Sequence, residues 1–220
     1  MGNEPDMIRC LIFDFDGTLV PSNGIKRDSF TESVAEIPGA PEAISRILTR
    51  TPDADRYAVF GALAMEFGAT VTPSDLVARY GEICKARIVP LIVGSDIPAL
   101  MQHLSTSGLE VHIATATPYP AIISTLRAAG IAGIFNSVHG RPQTKTEAIR
   151  EIMLKGAHQP AQVAVIGDGT ADRVAAEAAG CHFVAVRPDA SDLYGKSVAR
   201  AVAVLTDKLA PGARLSTAAV

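Results

Sequence analysis

The stretch IRCLIFDFDGTLV ends an apolar run with two carboxylates that are one residue apart, Asp14 and Asp16. Two like charges at the tip of a strand repel each other unless a positive group lies on them. Residues two apart in an extended chain project to the same side, so both carboxylates can face one ligand. Gly17 permits a sharp turn, and we expect the backbone amides beyond it, such as that of Thr18, to be free to bind oxygen. The pattern favours a site for a divalent cation and a phosphoryl group.

Two further polar residues lie where a predicted strand meets a helix. Thr115 ends the apolar run VHIAT, and a hydroxyl there can donate to a phosphate oxygen near a helix N-terminus, although a plain capping role is an alternative. Lys145 lies in the capping-box sequence TKTE and is predicted to occupy the first helical position. A cation there opposes the helix dipole, so Lys145 is either a solvated surface lysine or a charge directed at a phosphate and neighbouring carboxylates.

The segment GDGTAD supplies two more carboxylates. Asp168 follows the apolar run VAVI, and Asp172 falls in the first turn of the next predicted helix. Asp172 alone could be a charge that favours the helix dipole. Asp168 needs a further explanation, because a third carboxylate beside Asp14 and Asp16 would repel both of them strongly without a metal ion.

These residues need a scaffold that brings strand ends together, and the apolar runs predict one. Short buried runs at 10–13, 111–115, 163–167 and 183–186 alternate with helical patterns that end in glycine. Runs that are apolar throughout indicate strands covered on both faces, as in a parallel sheet. The fold class is therefore predicted as α/β, with a doubly wound Rossmann-like core whose ligands bind at the carboxyl ends of the strands.

The alternation is interrupted after the first strand. From about Pro21 to Val93 the sequence shows helical patterns and no convincing strand. We therefore predict a second, all-helical domain over 21–93, inserted into a core domain of 1–20 and 94–220. Both crossings, VPSNG and VPLIVGSDIP, contain Pro and Gly, which suit a hinge or a plain loop.

Composition excludes several classes of protein. An apolar fraction of 48% with 20% charged residues is typical of a globular chain, and a net charge of −3 argues against a nucleic-acid surface. The sequence has no apolar run of membrane-spanning length and no leader pattern at its N-terminus. Its three cysteines are set inside apolar patterns, as small core residues are. We expect a soluble cytoplasmic protein with no membrane partner, and make no prediction of its oligomeric state.

Taken together, the motifs resemble those of the haloacid dehalogenase superfamily of phosphohydrolases. The DxDGT motif matches Asp14–Thr18, the strand-end Thr or Ser matches Thr115, the lysine matches Lys145, and GDxxxD matches Gly167–Asp172. The resemblance covers the whole chain, since the helical insertion lies where this family carries a helical (C1-type) cap. It is strongest to the branch that contains phosphoglycolate phosphatases and β-phosphoglucomutases.

The resemblance implies a Mg²⁺-dependent phosphohydrolase that acts on a small phosphorylated metabolite through an aspartyl-phosphate. Asp14 would be the nucleophile, and Asp16 would protonate the leaving alcohol and then deprotonate water. The metal site would use Asp14, the backbone carbonyl of Asp16, and Asp168, with Asp172 orienting Lys145 or a metal-bound water.

The resemblance also implies which groups bind substrate. Thr115 and Lys145 would hold the phosphate oxygens, together with the turn at Gly17 and Thr18. A closing cap would choose the substrate, and its candidate contacts are Lys26 and Arg56, followed by Arg46 and Arg50; a solvated face is the alternative for all four. Relatives often carry an aspartate after DGTLV, where this chain has Pro21, which leaves the substrate-side contacts open.

Four other functions use similar residues. Hydrolytic dehalogenation shares the fold and nucleophile, but a halide leaves without a proton, so Asp16 argues for an oxygen leaving group. A phosphomutase would share all four motifs. A phospho-accepting receiver domain groups Asp, Thr and Lys, but carries its phosphorylated aspartate on a middle strand and has no large insertion. A non-catalytic binding protein is less consistent with intact candidate residues at all four motifs.

Overall fold

The computed structural model describes residues 7–52, 54–68, 71–187, 194–205 and 208–209. Its central sheet has five parallel strands in the order β3-β2-β1-β4-β5. The strands are β1 (Cys10–Phe13), β2 (Glu110–Pro118), β3 (Ser137–Arg141), β4 (Val163–Gly167) and β5 (His182–Ala185). Every residue of β1 and β4 is buried, as expected of central strands covered on both faces. The predicted Rossmann-like α/β core is confirmed.

The described helices follow the sequence in a simple pattern. Five come between the first two strands, namely α1 (Ser22–Ser33), α2 (Ala40–Arg50), α3 (Arg56–Phe67), α4 (Pro73–Val93) and α5 (Ile97–Thr106), the last of which leads into β2. Later helices alternate with strands: α6 (Tyr119–Ala128), α7 (Lys145–Gly156), α8 (Thr170–Ala179) and α9 (Tyr194–Ala203). In the part of the chain that the structure describes, none of these helices has the length and apolar character needed to cross a membrane.

The strand register aligns the candidate site. Phe13 of β1 is level with Ile113 of β2 and with Ile166 of β4. Asp14 comes directly after this row, and Thr115 and Asp168 each follow it by two residues. Parallel pairing therefore brings the three motifs to one edge of the sheet, because the carboxyl ends of parallel strands point the same way.

The core that fixes this register is apolar and continuous. Cys10 and Ile12 of β1 pack with Val163 and Val165 of β4 in a buried cluster. The cluster also includes buried residues of the helices α7 and α8, namely Ala148, Ile149, Ile152, Ala175 and Ala176. Burial of this kind stabilises by about 25 cal/mol for each Å² of apolar surface removed from water. The helices that carry Lys145 and Asp172 are thus held directly on the two central strands.

The chain divides into two compact units. The core unit contains the described residues of 1–21 and 89–220, and the helical unit contains those of 22–88. The predicted all-helical domain inserted after the first strand is confirmed. The exact limits of 21–93 remain a prediction.

The helical unit has its own aromatic core. The rings of Phe30, Phe60 and Tyr80 lie with centroids 4.5 to 6.0 Å apart. The Arg56 guanidinium lies 4.6 Å from the centre of the Tyr80 ring, a distance at which a cation and an aromatic face attract. These contacts tie α1, α3 and α4 together within the unit.

The expected crossing at VPLIVGSDIP is helical rather than a loop in its first half, because helix α4 continues through Pro90 to Val93. Proline in a helix interior removes one hydrogen bond and costs about 3 kcal/mol. The helix nevertheless persists, since the Pro90 carbonyl accepts from the Gly94 amide at 2.9 Å and Ile92 is fully packed. Beyond Pro90 the helix buries Ile92 but leaves Leu91 and Val93 exposed, so the burial of Ile92 offsets part of the local penalty.

Two strand predictions also need correction. Strand β2 extends to Pro118, so Thr115 is not its last residue. Strand β3, SVHGR, is not one of the apolar runs from which strands were predicted, because it lies at an edge of the sheet and only Gly140 is buried. An edge strand is covered on fewer sides and does not need a continuous apolar run.

Candidate active site

The turn after β1 places the two aspartates of the first motif. The Asp14 amide donates to the Ile166 carbonyl at 2.9 Å, which extends the pairing with β4 by one residue. Gly17 has a φ of 82°, a left-handed conformation that glycine adopts without strain. Its amide donates to the Val20 carbonyl at 2.8 Å, and the amides of Leu19 and Val20 both donate to the Phe15 carbonyl. The expectation of free amides beyond Gly17 is therefore wrong for Leu19 and Val20.

Lys145 joins the first motif to the fourth. Its ammonium group donates to Asp14 Oδ1 at 2.7 Å and also to Asp172 Oδ1. Helix α7 begins at Lys145, and the predicted capping box is present: the Thr144 hydroxyl accepts from the Glu147 amide while the Glu147 carboxylate accepts from the Thr144 amide. The cation therefore lies at the N-terminus of a helix and faces two buried carboxylates rather than solvent.

Three carboxylates converge beside this lysine. Asp14, Asp168 and Asp172 each present an oxygen, and these oxygens all lie within 4.8 Å of one another. With all three carboxylates ionised, the charge of one lysine would leave two negative charges for a metal ion to compensate. Oxygen ligands from a few carboxylates suit Mg²⁺, so the donor set fits that ion in both chemistry and charge.

Gly167, the first glycine of the GDG sequence, is explained by the close approach of the Asp172 side chain. A side chain at Gly167 would put its Cβ 2.4 Å from Asp172 Cγ, which no real contact allows. The Gly169 amide donates to Asp172 Oδ2 at 3.1 Å and helps to hold that carboxylate. Asp168 is held differently, since its Oδ1 accepts from the Thr18 hydroxyl and its amide donates to the same hydroxyl, both at 3.0 Å. The Thr18 side chain thus braces the acidic cluster.

Asp16 lies outside the acidic cluster, against two hydroxyl groups of β2. Thr117 Oγ1 donates to Asp16 Oδ2 at 2.6 Å, and Thr115 Oγ1 reaches the same oxygen only at 3.5 Å. The Thr117 amide also donates to Thr115 Oγ1 at 3.2 Å. Sequence reasoning missed Thr117, although the run ATATP places it two residues after Thr115, on the same side of an extended chain.

The two threonines lie where the pairing of β2 with β3 is irregular. The pairing of β2 with β3 shifts register between Ala114 and Pro118, as happens at β-bulges that redirect side chains near active sites. Both Thr115 and Thr117 are buried, whereas Ala116 between them is exposed. Gly140 of β3 allows the close approach, because a Cβ there would lie 2.4 Å from the Thr117 carbonyl oxygen.

The surroundings shift the ionisation of the central pair. Burial raises the pKa of Asp14 to about 7; the Lys145 ammonium opposes that shift, and the Asp172 carboxylate adds to it. For Lys145, burial works against the charged form, but the carboxylates of Asp14 and Asp172 outweigh it and raise the pKa of the lysine. The lysine therefore stays charged, and an additional cation would favour the ionised form of Asp14.

The candidate substrate contacts of the helical unit have varied surroundings within that unit. Lys26 lines a cavity of about 490 Å³ with Asn23, Arg27, Phe30, Leu48, Thr49, Pro52 and Ala54. Arg46 pairs with Glu66 at 2.5 Å, and Arg50 is exposed. Arg56 is largely buried over Tyr80, so its guanidinium contributes to packing in this unit.

The histidines near the sheet are bound to other groups. His112 contacts the Ser137 hydroxyl through Nδ1 at 2.8 Å and Glu110 through Nε2 at 3.3 Å. His139 contacts Ser137 and Gln143, both at 2.8 Å. His112 is thus a buried residue of β2 with a hydrogen-bond partner for each ring nitrogen.

Known proteins share both the sequence pattern and the fold. The family model for haloacid dehalogenase-like hydrolases matches residues 11–186. A phosphoglycolate phosphatase of Cereibacter sphaeroides is 28% identical over 194 residues, which cover 79% of this chain and 82% of the relative. The chain is thus similar in sequence to a phosphatase along most of its length.

Solved structures extend the likeness to the fold. A predicted phosphoglycolate phosphatase of Haemophilus somnus aligns with a TM-score of 0.60 at 17% identity, covering 86% of this chain and 91% of that one. A mutant of CbbY from Rhodobacter sphaeroides, in complex with xylulose-1,5-bisphosphate, aligns with a TM-score of 0.61 at 18% identity, covering 83% and 88%. Since the family model spans most of the chain, the protein belongs to the haloacid dehalogenase-like hydrolases and is an enzyme of their phosphatase-like branch.

Proposed function

We propose that the protein is a Mg²⁺-dependent phosphohydrolase that cleaves small phosphorylated metabolites through an aspartyl-phosphate on Asp14. The observation that carries this proposal is the convergence of three carboxylates, Asp14, Asp168 and Asp172, of which Asp14 and Asp172 also bind the Lys145 ammonium group. Phosphoryl transfer depends mainly on alignment and charge neutralisation, and this cluster supplies both beside one carboxylate that can act as nucleophile.

In the first half-reaction, a carboxylate oxygen of Asp14 forms a bond to phosphorus while the bond from phosphorus to the leaving oxygen breaks. Asp16 gives its proton to that oxygen, so the product leaves as an alcohol. In the second half-reaction, Asp16 takes a proton from water as the water oxygen bonds to phosphorus. The bond from Asp14 to phosphorus then breaks, and inorganic phosphate is released.

The remaining residues bind and orient. Asp14, Asp168 and the backbone carbonyl of Asp16 would hold Mg²⁺, which when bound neutralises charge on the transferring group. The Lys145 ammonium and the Thr115 hydroxyl would hold phosphate oxygens. Asp172 keeps Lys145 in place, as the hydrogen bond between them supports.

The substrate class is proposed from the relatives. The Cereibacter sphaeroides relative is a phosphoglycolate phosphatase, so 2-phosphoglycolate is the first compound to test, followed by sugar phosphates. Contacts from the helical unit would select among them, with Lys26 and Arg56 as the candidates. We place this reaction in the cytoplasm, consistent with three cysteines that form no disulfide.

The experiment is a phosphate-release screen over phosphorylated metabolites and p-nitrophenyl phosphate, with Mg²⁺ or with EDTA. We expect release only with Mg²⁺, and expect Asp14→Asn to abolish it. Appreciable turnover in Asp14→Asn would refute the nucleophile assignment. Hydrolysis without any bisphosphorylated activator would separate this function from that of a phosphomutase.

A further inference from the structure

We propose that Thr117 is a positioning residue for Asp16, and that its hydroxyl group keeps the transferable proton on Asp16 Oδ1. The inference rests on the proposed function, in which Asp16 is the acid and then the base. It concerns the one strongly hydrogen-bonded hydroxyl described at the site that none of the four motifs contains.

The two threonine hydroxyls lie at different distances from Asp16 Oδ2, which indicates different roles for them. Thr117 Oγ1 lies 2.6 Å from Asp16 Oδ2, a short bond to a charged acceptor, whereas the 3.5 Å from Thr115 Oγ1 is at the limit of hydrogen bonding. Thr115 Oγ1 instead accepts from the Thr117 amide at 3.2 Å. An oxygen that accepts from this amide can still donate its own hydrogen, which leaves the Thr115 proton for a phosphate oxygen.

The bond to Oδ2 determines which carboxyl oxygen moves the proton. A protonated carboxyl group has one oxygen that carries hydrogen and one that accepts. With a hydroxyl donating to Oδ2, the acidic hydrogen of Asp16 lies on Oδ1. In the first half-reaction it moves from Oδ1 to the leaving oxygen, and in the second Oδ1 takes a proton from water. The same oxygen serves both steps, so the carboxyl group does not have to rotate.

Thr117 is held firmly enough for this task. Its side chain is buried, and a β-branched residue has few side-chain conformations to choose from. It follows Thr115 by two residues, which places both side chains on the same side of an extended chain. Gly140 of the neighbouring strand packs against its carbonyl oxygen, leaving no room for a Cβ. The hydroxyl position is thus fixed by the backbones of two strands.

The test compares Thr117→Val, which lacks the hydroxyl at nearly constant shape, with Thr117→Ser, which keeps it. The readout is kcat/KM over a series of aryl phosphates with different leaving-group pKa and an alkyl phosphate. General acid catalysis is worth about 10² to 10⁴-fold, so we expect Thr117→Val to lose about tenfold or more on the alkyl phosphate and less than about twofold on p-nitrophenyl phosphate. Thr117→Ser should retain the wild-type dependence.

A matched control is Thr125→Val on α6. Thr125 is also buried, and its hydroxyl donates to the Ala121 carbonyl at 3.0 Å, so this variant removes a comparable hydroxyl that has no contact with Asp16. It should leave the leaving-group dependence unchanged. If Thr117→Val folds poorly, Thr117→Ala gives the same comparison.

Equal losses on alkyl and p-nitrophenyl phosphate, or a Thr117→Ser variant as impaired as Thr117→Val, would overturn the inference. Such a result would leave the proposed function intact, provided that the wild type hydrolyses phosphates and Asp14→Asn does not. A wild type without phosphatase activity would instead reject the proposed function.

Discussion

The two aspartates of the DxD motif, separated by one residue, lie in chemically different halves of the site. Asp14 is buried against Lys145 and the carboxylates of β4 and α8, whereas the half-buried Asp16 lies against threonine hydroxyls of β2. The first half brings together charged groups, and the second includes the hydroxyl groups of Thr117 and Thr115. In the proposed mechanism these two halves divide the roles of nucleophile and acid, and a bound Mg²⁺ would favour the ionised form that Asp14 needs as nucleophile.

The charged half should be the more sensitive to substitution. Lys145→Met removes the only cation in contact with Asp14 and Asp172 among the described residues. We expect kcat/KM to fall about 10³-fold, because a preorganised charge is lost beside the reacting phosphorus. We also expect the metal-free protein to lose about 3 kcal/mol of unfolding free energy, since breaking a buried ion pair leaves its partners uncompensated. Steady-state kinetics and urea unfolding measure these effects.

Lys155→Met is the control for that variant. Lys155 lies on the same helix and is largely exposed beside Glu151, and an exposed pair contributes little to stability. Its loss should change neither activity nor stability measurably. Similar effects of the two substitutions would remove the distinction between the charged half and the protein surface.

The hydroxyl half should respond to the leaving group. Asp16→Asn removes the proton donor, so hydrolysis of an alkyl phosphate should fall about 10²-fold. Hydrolysis of p-nitrophenyl phosphate should fall far less, because that leaving group needs little protonation. Equal losses on both substrates would argue against an acid role for Asp16 and would make the two halves alike.

A substitution at Gly140 tests whether the backbone next to Thr117 affects only the hydroxyl half of the site. Gly140→Ala adds a Cβ that would meet the Thr117 carbonyl oxygen at 2.4 Å, so β2 or β3 must shift. We expect a loss of about three- to tenfold on alkyl phosphates, part of the effect of a missing acid, and little change in Mg²⁺ affinity. Gly133→Ala is the control, since a Cβ there meets no atom within 4 Å. A weakened Mg²⁺ affinity in Gly140→Ala would indicate that the halves are mechanically coupled.

The smallest effect is expected away from the reacting groups. Burial lowers the pKa of His112, although Glu110 partly opposes the shift. The unfolded chain therefore takes up this proton first as the pH falls, so the contribution to stability is present above about pH 6.5 and is lost below it. His112→Asn should weaken the fall in unfolding free energy between pH 7.5 and 5.5, while the exposed His103→Asn should not. Unchanged pH dependence in His112→Asn would contradict this account.

The sequence alone determined the fold class and the main candidates for the site. Apolar runs such as CLIF and VAVIG predict central strands because burial on both faces excludes polar residues. The capping box at Thr144 is local, with its donors and acceptors three residues apart, so it placed the start of α7 correctly. The carboxylates at strand ends could likewise be chosen from type and spacing.

Only the tertiary structure decided the rest. The helix through Pro90 and the edge strand β3 depend on packing, which overrides local preference. The hydrogen bond from Thr117 to Asp16 joins residues about a hundred positions apart, which no local pattern encodes. Sequence patterns record what each segment buries, whereas hydrogen bonds between side chains of distant segments exist only once strand order and register bring them within reach.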